Sequence, residues 1–112
     1  MMFVTGPLFA GKREYAARAL GLTEEELARR AVWDVQDLAA EAEDLYALAA
    51  ELAEREIVIA TEVGGGVVPA DPAERAEREA AGRLACLLAE RADTVIRVVC
   101  GLPQALKGEL PC

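Results

Sequence analysis

A glycine-rich segment near the start of the chain has the residue types and the spacing to hold a phosphate group. Four residues separate Gly6 from Gly11-Lys12, which gives the pattern G-x-x-x-x-G-K. Glycines let backbone N–H groups approach phosphate oxygens, a following helix adds partial positive charge, and the lysine reaches the β and γ phosphates. We therefore predict a phosphate-binding loop in which Lys12 is catalytic. The predicted nucleotide-binding residues are Gly6, Pro7, Leu8, Phe9, Ala10, Gly11, Lys12 and Arg13.

The residue that follows Lys12 departs from the usual form of this loop. A serine or threonine normally stands there and its hydroxyl ligates Mg²⁺, whereas this chain has Arg13. The alternative interpretation is an ordinary glycine-containing turn between a strand and a helix, followed by a surface lysine. Because the loop's donors are mainly backbone N–H groups, we expect it to bind phosphate without that hydroxyl. The Mg²⁺ site should be weakened, because the ion loses one oxygen ligand.

Two acidic residues are candidates for organising that metal or an acceptor hydroxyl. Enzymes with phosphate-binding loops often carry an acidic residue at the end of a neighbouring strand, where it holds Mg²⁺ directly or through water. Asp34 follows a short apolar segment, and Glu62 follows the β-branched run Ile57–Thr61. We predict Asp34 and Glu62 as catalytic residues, with Asp34 as the metal ligand. The alternative for Asp34 is a solvent-facing residue or a helix cap.

Strands and helices alternate along the chain and would position these residues. Thr23 and Glu26 form a capping box, and Asp71 with Pro72 is a typical helix start. Residues 31–35 are compatible with a strand or with part of a long helix, and residues 105–107 are expected to form at most a turn. The predicted strands cover 2–5, 57–61 and 94–99, and the predicted helices cover 12–20, 23–30, 38–55 and 71–91.

This alternation predicts one α/β domain over residues 1–112. Parallel strands joined by right-handed helical crossovers place helices on both faces of a sheet. We expect three to four strands. Much of the 54% hydrophobic content is alanine, and aromatic residues make up 4%. Small side chains bury little area each, so we expect a homo-oligomer to supplement the core, with residues 45–52 and Val67-Val68 as candidate contacts.

The charge and the cysteines exclude several classes of protein. A net charge of −8 argues against nucleic acid and anionic membrane surfaces as partners. No apolar run reaches the roughly 18 residues that a membrane span needs, and the sequence shows no signal peptide. The three cysteines lack C-x-x-C spacing and the chain has no histidine, which argues against a zinc site. We expect a cytoplasmic protein with reduced thiols.

The second half of the chain resembles the adenosylcobinamide kinase/adenosylcobinamide-phosphate guanylyltransferase family of cobalamin biosynthesis. Residues 61–69 read T-E-V-G-G-G-V-V-P, against the family's N-E-V-G-x-G-I-V-P, and residues 92–103 match its A-D-x-V-x-x-V-V-x-G-I-P. Arg75 and Arg78 match the R-x-x-R between them. The resemblance implies a P-loop NTPase-like fold, GTP or ATP as substrate, adenosylcobinamide as the acceptor, and an oligomer with a trimer as first choice.

Departures from the family pattern limit what the resemblance implies. Two serines of the family loop are replaced by Ala10 and Arg13, and the family's asparagine before Glu62 is replaced by Thr61. The family's Asn-Gln pair is Ala85-Cys86. The segment before the family's third strand is largely missing, and with it the histidine that takes up GMP in the family. We therefore expect kinase activity at most. The alternatives are a non-catalytic member that binds a nucleotide, a corrinoid or a partner protein, and a structural remnant.

Overall fold

A five-stranded sheet forms the centre of the protein, and its strand order is β2-β3-β1-β4-β5. The computed structural model describes residues 1–63 and 71–111. Strands β1 to β4 are parallel, and β5 pairs antiparallel with β4. Their bounds are β1 Met2–Gly6, β2 Ala31–Val32, β3 Ile57–Thr61, β4 Thr94–Val99 and β5 Leu102–Lys107. The central position of β1 places the end of that strand between β3 and β4.

In the part of the chain that the structure describes, four helices cover the two faces of the sheet: α1 Lys12–Leu20, α2 Glu24–Arg30, α3 Leu45–Leu52 and α4 Pro72–Arg91. The expected capping box is present, because Thr23 Oγ1 accepts from the Glu26 N–H at 3.1 Å and Glu26 Oε1 accepts from the Thr23 N–H at 3.2 Å. Asp71 caps α4 by accepting from the Ala73 N–H at 3.0 Å. The predicted α/β class, with a mainly parallel sheet flanked by helices, is confirmed.

Strand alternation divides the core into two layers. Phe3, Val58 and Val95 face α3 and α4, whereas Val4 and Ile96 face α1 and α2. Because successive residues of a strand point to opposite faces, both faces of each central strand are apolar, as expected for a buried parallel sheet. No helix in the ranges that the structure covers is long and apolar enough to cross a membrane.

Residues 102–107 form a strand, which corrects the expectation of at most a turn for residues 105–107 and raises the number of strands in the described residues from three or four to five. Cys100 and Gly101 adopt positive φ angles of 53° and 74°, and this turn reverses the chain so that β5 pairs with β4. Pro103 is tolerated because β5 lies at the sheet edge, where one side needs no N–H donor.

The long helix expected over residues 38–55 is wrong in its first half. Val35–Leu38 is a 3-10 turn, and α3 begins only after Asp44, whose side chain accepts from the N–H groups of Tyr46 and Ala47 at 3.0 and 3.2 Å. A side chain that caps a helix competes with continuation of the helix through it. The open segment 31–35 resolves into the short strand β2 followed by a turn.

The apolar stripe of α3, expected as an oligomer contact, lies mostly inside the protein. Ala49 and Leu52 are buried, and Leu45 and Leu48 pack against the core that α3 shares with α4. The other candidate contact, Val67-Val68, lies outside the described residues.

Candidate functional site

The predicted phosphate loop connects β1 to α1, and its two glycines occupy positions that a side chain would disturb. Gly6 has φ 154°, and a Cβ there would lie 2.2 Å from the Val98 carbonyl oxygen on β4. Gly11 has φ 85° and immediately precedes α1. The close contact with β4 and the left-handed backbone before the helix explain why glycine is needed at both ends of the loop.

Lys12 is the only buried charged residue among those that the structure describes, with 8% of its surface exposed. Its Nζ donates to the Pro7 carbonyl oxygen at 2.7 Å, so the amine lies across the loop. Burial lowers the pKa of Lys12, while the carboxylates of Asp34, Glu62 and Glu14 act in the opposite direction. A phosphate oxygen would be a stronger partner for this amine than a neutral carbonyl, because both groups would be charged.

The first turn of α1 directs backbone donors at the same space. Gly11 has no side chain to cap the helix, and the first helical bond runs from the Tyr15 N–H to the Gly11 carbonyl at 2.9 Å. The N–H groups of Lys12, Arg13 and Glu14 therefore precede the helical ladder and need acceptors from outside the helix. Phosphate oxygens are suitable acceptors, and the helix dipole favours their charge.

A cavity of about 340 Å³ lies against the loop. It brings together Lys12, Arg13 and Asp34 from the predicted site, together with Trp33 and Thr61, which were not predicted. Gly6 and Pro7 do not line it, although both shape the loop. The lining residues are Leu8, Phe9, Ala10, Gly11, Lys12, Arg13, Glu14, Trp33, Asp34, Ile59 and Thr61.

Asp34 reaches the cavity by a different route from the one expected. The strand that precedes it, β2, is not a neighbour of β1, since β3 lies between them. Asp34 adopts a positive φ of 57°, and its carboxylate does not cap the 3-10 turn that follows. The backbone turn, rather than adjacency of strands, places this exposed carboxylate in the cavity with Lys12.

Glu62 stands directly after β3, the strand that neighbours β1, and its N–H donates to the Gly6 carbonyl at 2.8 Å. Its carboxylate accepts from Arg97 on β4, with Nε–Oε1 at 2.6 Å and Nη2–Oε2 at 3.0 Å. This pair lowers the pKa of Glu62. The sequence analysis missed Arg97, although a charged residue inside the apolar run of β4 was a usable signal.

Arg13 stacks on an aromatic ring. Its guanidinium carbon lies 5.1 Å from the centroid of Trp33, which is a cation–π contact. Both residues line the loop cavity, so the positive charge that replaces the usual hydroxyl lies beside the predicted phosphate site. Trp33 was considered only as part of a strand or of a long helix, although it is the single tryptophan of an aromatic-poor chain.

The cavity fits a Mg²⁺ ion that arrives with a nucleotide better than a metal held by protein alone. Asp34 and Thr61 offer oxygen atoms to it. Within residues 1–63 and 71–111, no group of three or more His, Cys, Asp or Glu residues could hold a metal ion. Mg²⁺ in nucleotide sites typically takes one or two carboxylates together with phosphate oxygens and water.

A larger cleft of about 950 Å³ lies on the α4 side of the sheet. Leu8 and Thr61 line both this cleft and the loop cavity, so the two spaces adjoin at the phosphate loop. The cleft is rich in carboxylates and suits a cationic or neutral ligand better than an anion. Its charged lining residues are Asp37, Glu41, Glu62, Glu74, Glu77 and Arg78.

Comparisons with known proteins match most of the chain beyond the loop. Residues 20–106 match the family model described as cobinamide kinase / cobinamide phosphate guanyltransferase. The chain is also 42% identical over 76 residues to the bifunctional adenosylcobalamin biosynthesis protein CobP of Pseudomonas aeruginosa. That match covers 68% of this chain and 44% of the relative, so the chain spans less than half of that protein's length.

Proposed function

Because this chain belongs to the cobinamide kinase / cobinamide phosphate guanyltransferase family, we propose that its loop binds the phosphates of GTP or ATP for phosphoryl transfer to adenosylcobinamide. The family and the P-loop NTPase-like fold expected from the resemblance are confirmed. The observation that carries the proposal is Lys12, a buried lysine at the start of α1 whose amine donates across its own loop. The matched region begins at residue 20, so the role of the loop rests on this geometry.

In this proposal, the loop cavity binds the phosphate donor and the larger cleft binds the acceptor. The N–H groups at the start of α1 and the amine of Lys12 hold the donor phosphates and stabilise charge on the transferred group. Asp34 would hold Mg²⁺ carried by the nucleotide, and the ion would neutralise charge that develops on the phosphates. The acceptor occupies the larger cleft, where Glu62 accepts a hydrogen bond from its hydroxyl.

A second candidate function is nucleotide or corrinoid binding without turnover. The observation that favours it is Arg13, which stands where a metal-binding hydroxyl is usual and stacks on Trp33. A guanidinium stabilises phosphate charge without a metal, so binding survives while the metal-dependent step is lost. Such a protein would act as a binding partner in the pathway.

The experiment that separates these functions incubates the protein with adenosylcobinamide and either GTP or ATP, with and without Mg²⁺. Mass spectrometry then detects adenosylcobinamide phosphate. Product from the wild type and none from Lys12→Ala supports the kinase proposal. Nucleotide binding without product supports the non-catalytic function. Absence of both binding and product means that the loop is a structural remnant.

Guanylyl transfer through a histidine is not expected, because this chain contains no histidine to take up GMP. Intact-mass spectrometry after incubation with GTP should show no added GMP. A stable, acid-labile adduct would contradict this expectation and would mean that another nucleophile, such as a lysine, carries the nucleotide.

A further inference from the structure

The ion pair between Glu62 and Arg97 crosses the end of the strand that leads into the phosphate loop. Thr5 on β1 lies in register with Arg97 on β4, while Gly6 lies in register with Thr61 on β3. The two charged side chains therefore come from the two neighbours of β1 and meet above its last residues. Neither the family motif nor the predicted site includes Arg97.

We propose that Arg97 is a positioning residue that holds the Glu62 carboxylate beside the phosphate loop and weakens its attraction for Mg²⁺. Nucleotide binding at the loop then depends little on the metal. This inference rests on the proposed function, since it concerns the same loop and the same nucleotide.

The geometry supports this role because Arg97 donates a hydrogen bond to each oxygen atom of Glu62. The Nε–Oε1 and Nη2–Oε2 distances are 2.6 and 3.0 Å, so the guanidinium binds the carboxylate in a two-point contact. A Mg²⁺ ion requires near-ideal octahedral geometry and does not compete well for oxygens already held in another orientation. The permanent charge of Arg97 also cancels the charge that would attract the ion.

Glu62 is placed where a carboxylate could attract Mg²⁺ to a nucleotide bound at the loop. It follows β3, next to β1, which is the position where proteins with this loop carry a metal-organising acid. Its backbone N–H donates to the Gly6 carbonyl at 2.8 Å, which ties it to the first residue of the loop. The positive charge of Lys12 also contributes to lowering the pKa of Glu62.

The test measures ATP binding by calorimetry in Mg²⁺ and in EDTA, and compares the two dissociation constants. The wild type should bind with constants that agree within about threefold, and Arg97→Met should bind about tenfold more tightly with Mg²⁺ than without it. Arg97→Lys keeps the charge but loses the two-point contact, and should give an intermediate ratio. If Arg97→Met does not fold, the ratio of the two dissociation constants measured for Arg97→Lys tests the proposal instead.

Two further variants show whether Arg97 acts through Glu62. Arg91→Met removes a positive charge at the end of α4, close to the start of β4 and away from the loop, and should leave the wild-type ratio unchanged. Glu62→Gln, added to Arg97→Met, should abolish the gained Mg²⁺ effect. A gain that persists in this double variant would overturn the proposal.

The outcomes also separate this inference from the proposed function. If the wild type binds ATP and Arg97→Met shows the wild-type ratio, the inference about Arg97 fails and the phosphate loop stands. If the wild type binds no ATP in either condition, both fail.

Discussion

Lys12 is buried and carries a charge that phosphate binding requires. This combination predicts that the affinity for ATP depends on pH. Burial lowers its pKa below the ordinary value of 10.5. As the pH rises through the lowered pKa, the amine loses its proton and affinity for phosphate falls. ATP affinity followed by calorimetry should therefore decline at a lower pH than for an exposed lysine. Affinity that stays constant up to the ordinary value would contradict this prediction.

The same pKa shift affects stability in the opposite direction. The unfolded chain keeps its lysine protonated at pH values where the buried amine has lost its proton, so the free energy of unfolding contributed by Lys12 increases with pH over that interval. At alkaline pH, the affinity for ATP should therefore fall while the contribution of Lys12 to the free energy of unfolding rises. This separation distinguishes titration of Lys12 from unfolding of the protein as the cause of lost binding.

Replacing Arg13 should restore part of the metal dependence that the usual loop has. Arg13→Ser supplies a hydroxyl ligand for Mg²⁺ and removes the contact with Trp33. The ratio of ATP dissociation constants in EDTA and in Mg²⁺ should rise severalfold over the wild type. Arg18→Ser is the matched control, since it removes an exposed arginine from the last turn of the same helix. Equal ratios in all three proteins would contradict the prediction.

Local pattern predicted only part of this site. Lys12 and its glycines were predictable because spacing along the chain decides the loop. Asp34 was found through its position after an apolar segment, although a left-handed turn places it. Arg97 stood out as a charged residue in an apolar run, but its contact with Glu62 was not predictable, because it depends on which strands neighbour β1. Their partnership follows from sheet order, which residue spacing does not reveal.

At the scale of elements, the space around two glycines predicts opposite effects of their substitution on stability. Gly6 lies in close contact with β4, whereas Gly82 lies on an open part of α4. Gly6→Ala would place a Cβ 2.2 Å from the Val98 carbonyl, and should cost at least about 2 kcal/mol of unfolding free energy. Gly82→Ala, within α4 and with no atom near the added methyl group, should stabilise the protein by about 0.5–1 kcal/mol. Urea unfolding measures both. A Gly6→Ala protein as stable as the wild type would refute the close packing.

The elements that were predicted well carry their own signals. The α2 capping box, the Asp71-Pro72 start of α4 and the β-branched run of β3 each specify an element locally. The stretch from Leu38 to Arg55 misled because its alanines and leucines favour a helix, whereas the Asp44 side chain caps a helix that begins only at Leu45. Strand β5 was missed because its pairing depends on the turn at Cys100 and Gly101, and not on its own residues.

At the scale of the whole molecule, the phosphate loop lies where two spaces adjoin. The loop cavity contains the basic residues Lys12 and Arg13 as well as the acidic Glu14 and Asp34, whereas most charged residues of the larger cleft are acidic. A phosphate donor and a non-anionic acceptor would therefore be separated by charge within a chain of net charge −8. This arrangement supports the proposed transfer from a nucleotide to a corrinoid acceptor.

The expected homo-oligomer stays a prediction, with a trimer as first choice. Because α3 packs internally, the exposed apolar side chains of β5 are the better contact, with Leu102 71% and Leu106 56% exposed. Light scattering at micromolar concentration should give a multiple of the 11.9 kDa chain mass. Leu106→Asp should lower that mass if β5 forms the contact. A wild-type mass of one chain would contradict the prediction.

The most direct test of the central claim, that the loop from Gly6 to Arg13 binds a nucleotide phosphate, is calorimetric titration of GTP and ATP into three proteins. The wild type should bind in Mg²⁺ and in EDTA, and Lys12→Ala should not bind. Lys107→Ala removes the only other lysine, which donates to carbonyls at the end of α4, and should bind like the wild type. No binding by the wild type at millimolar nucleotide, or equal binding by Lys12→Ala, would contradict the claim.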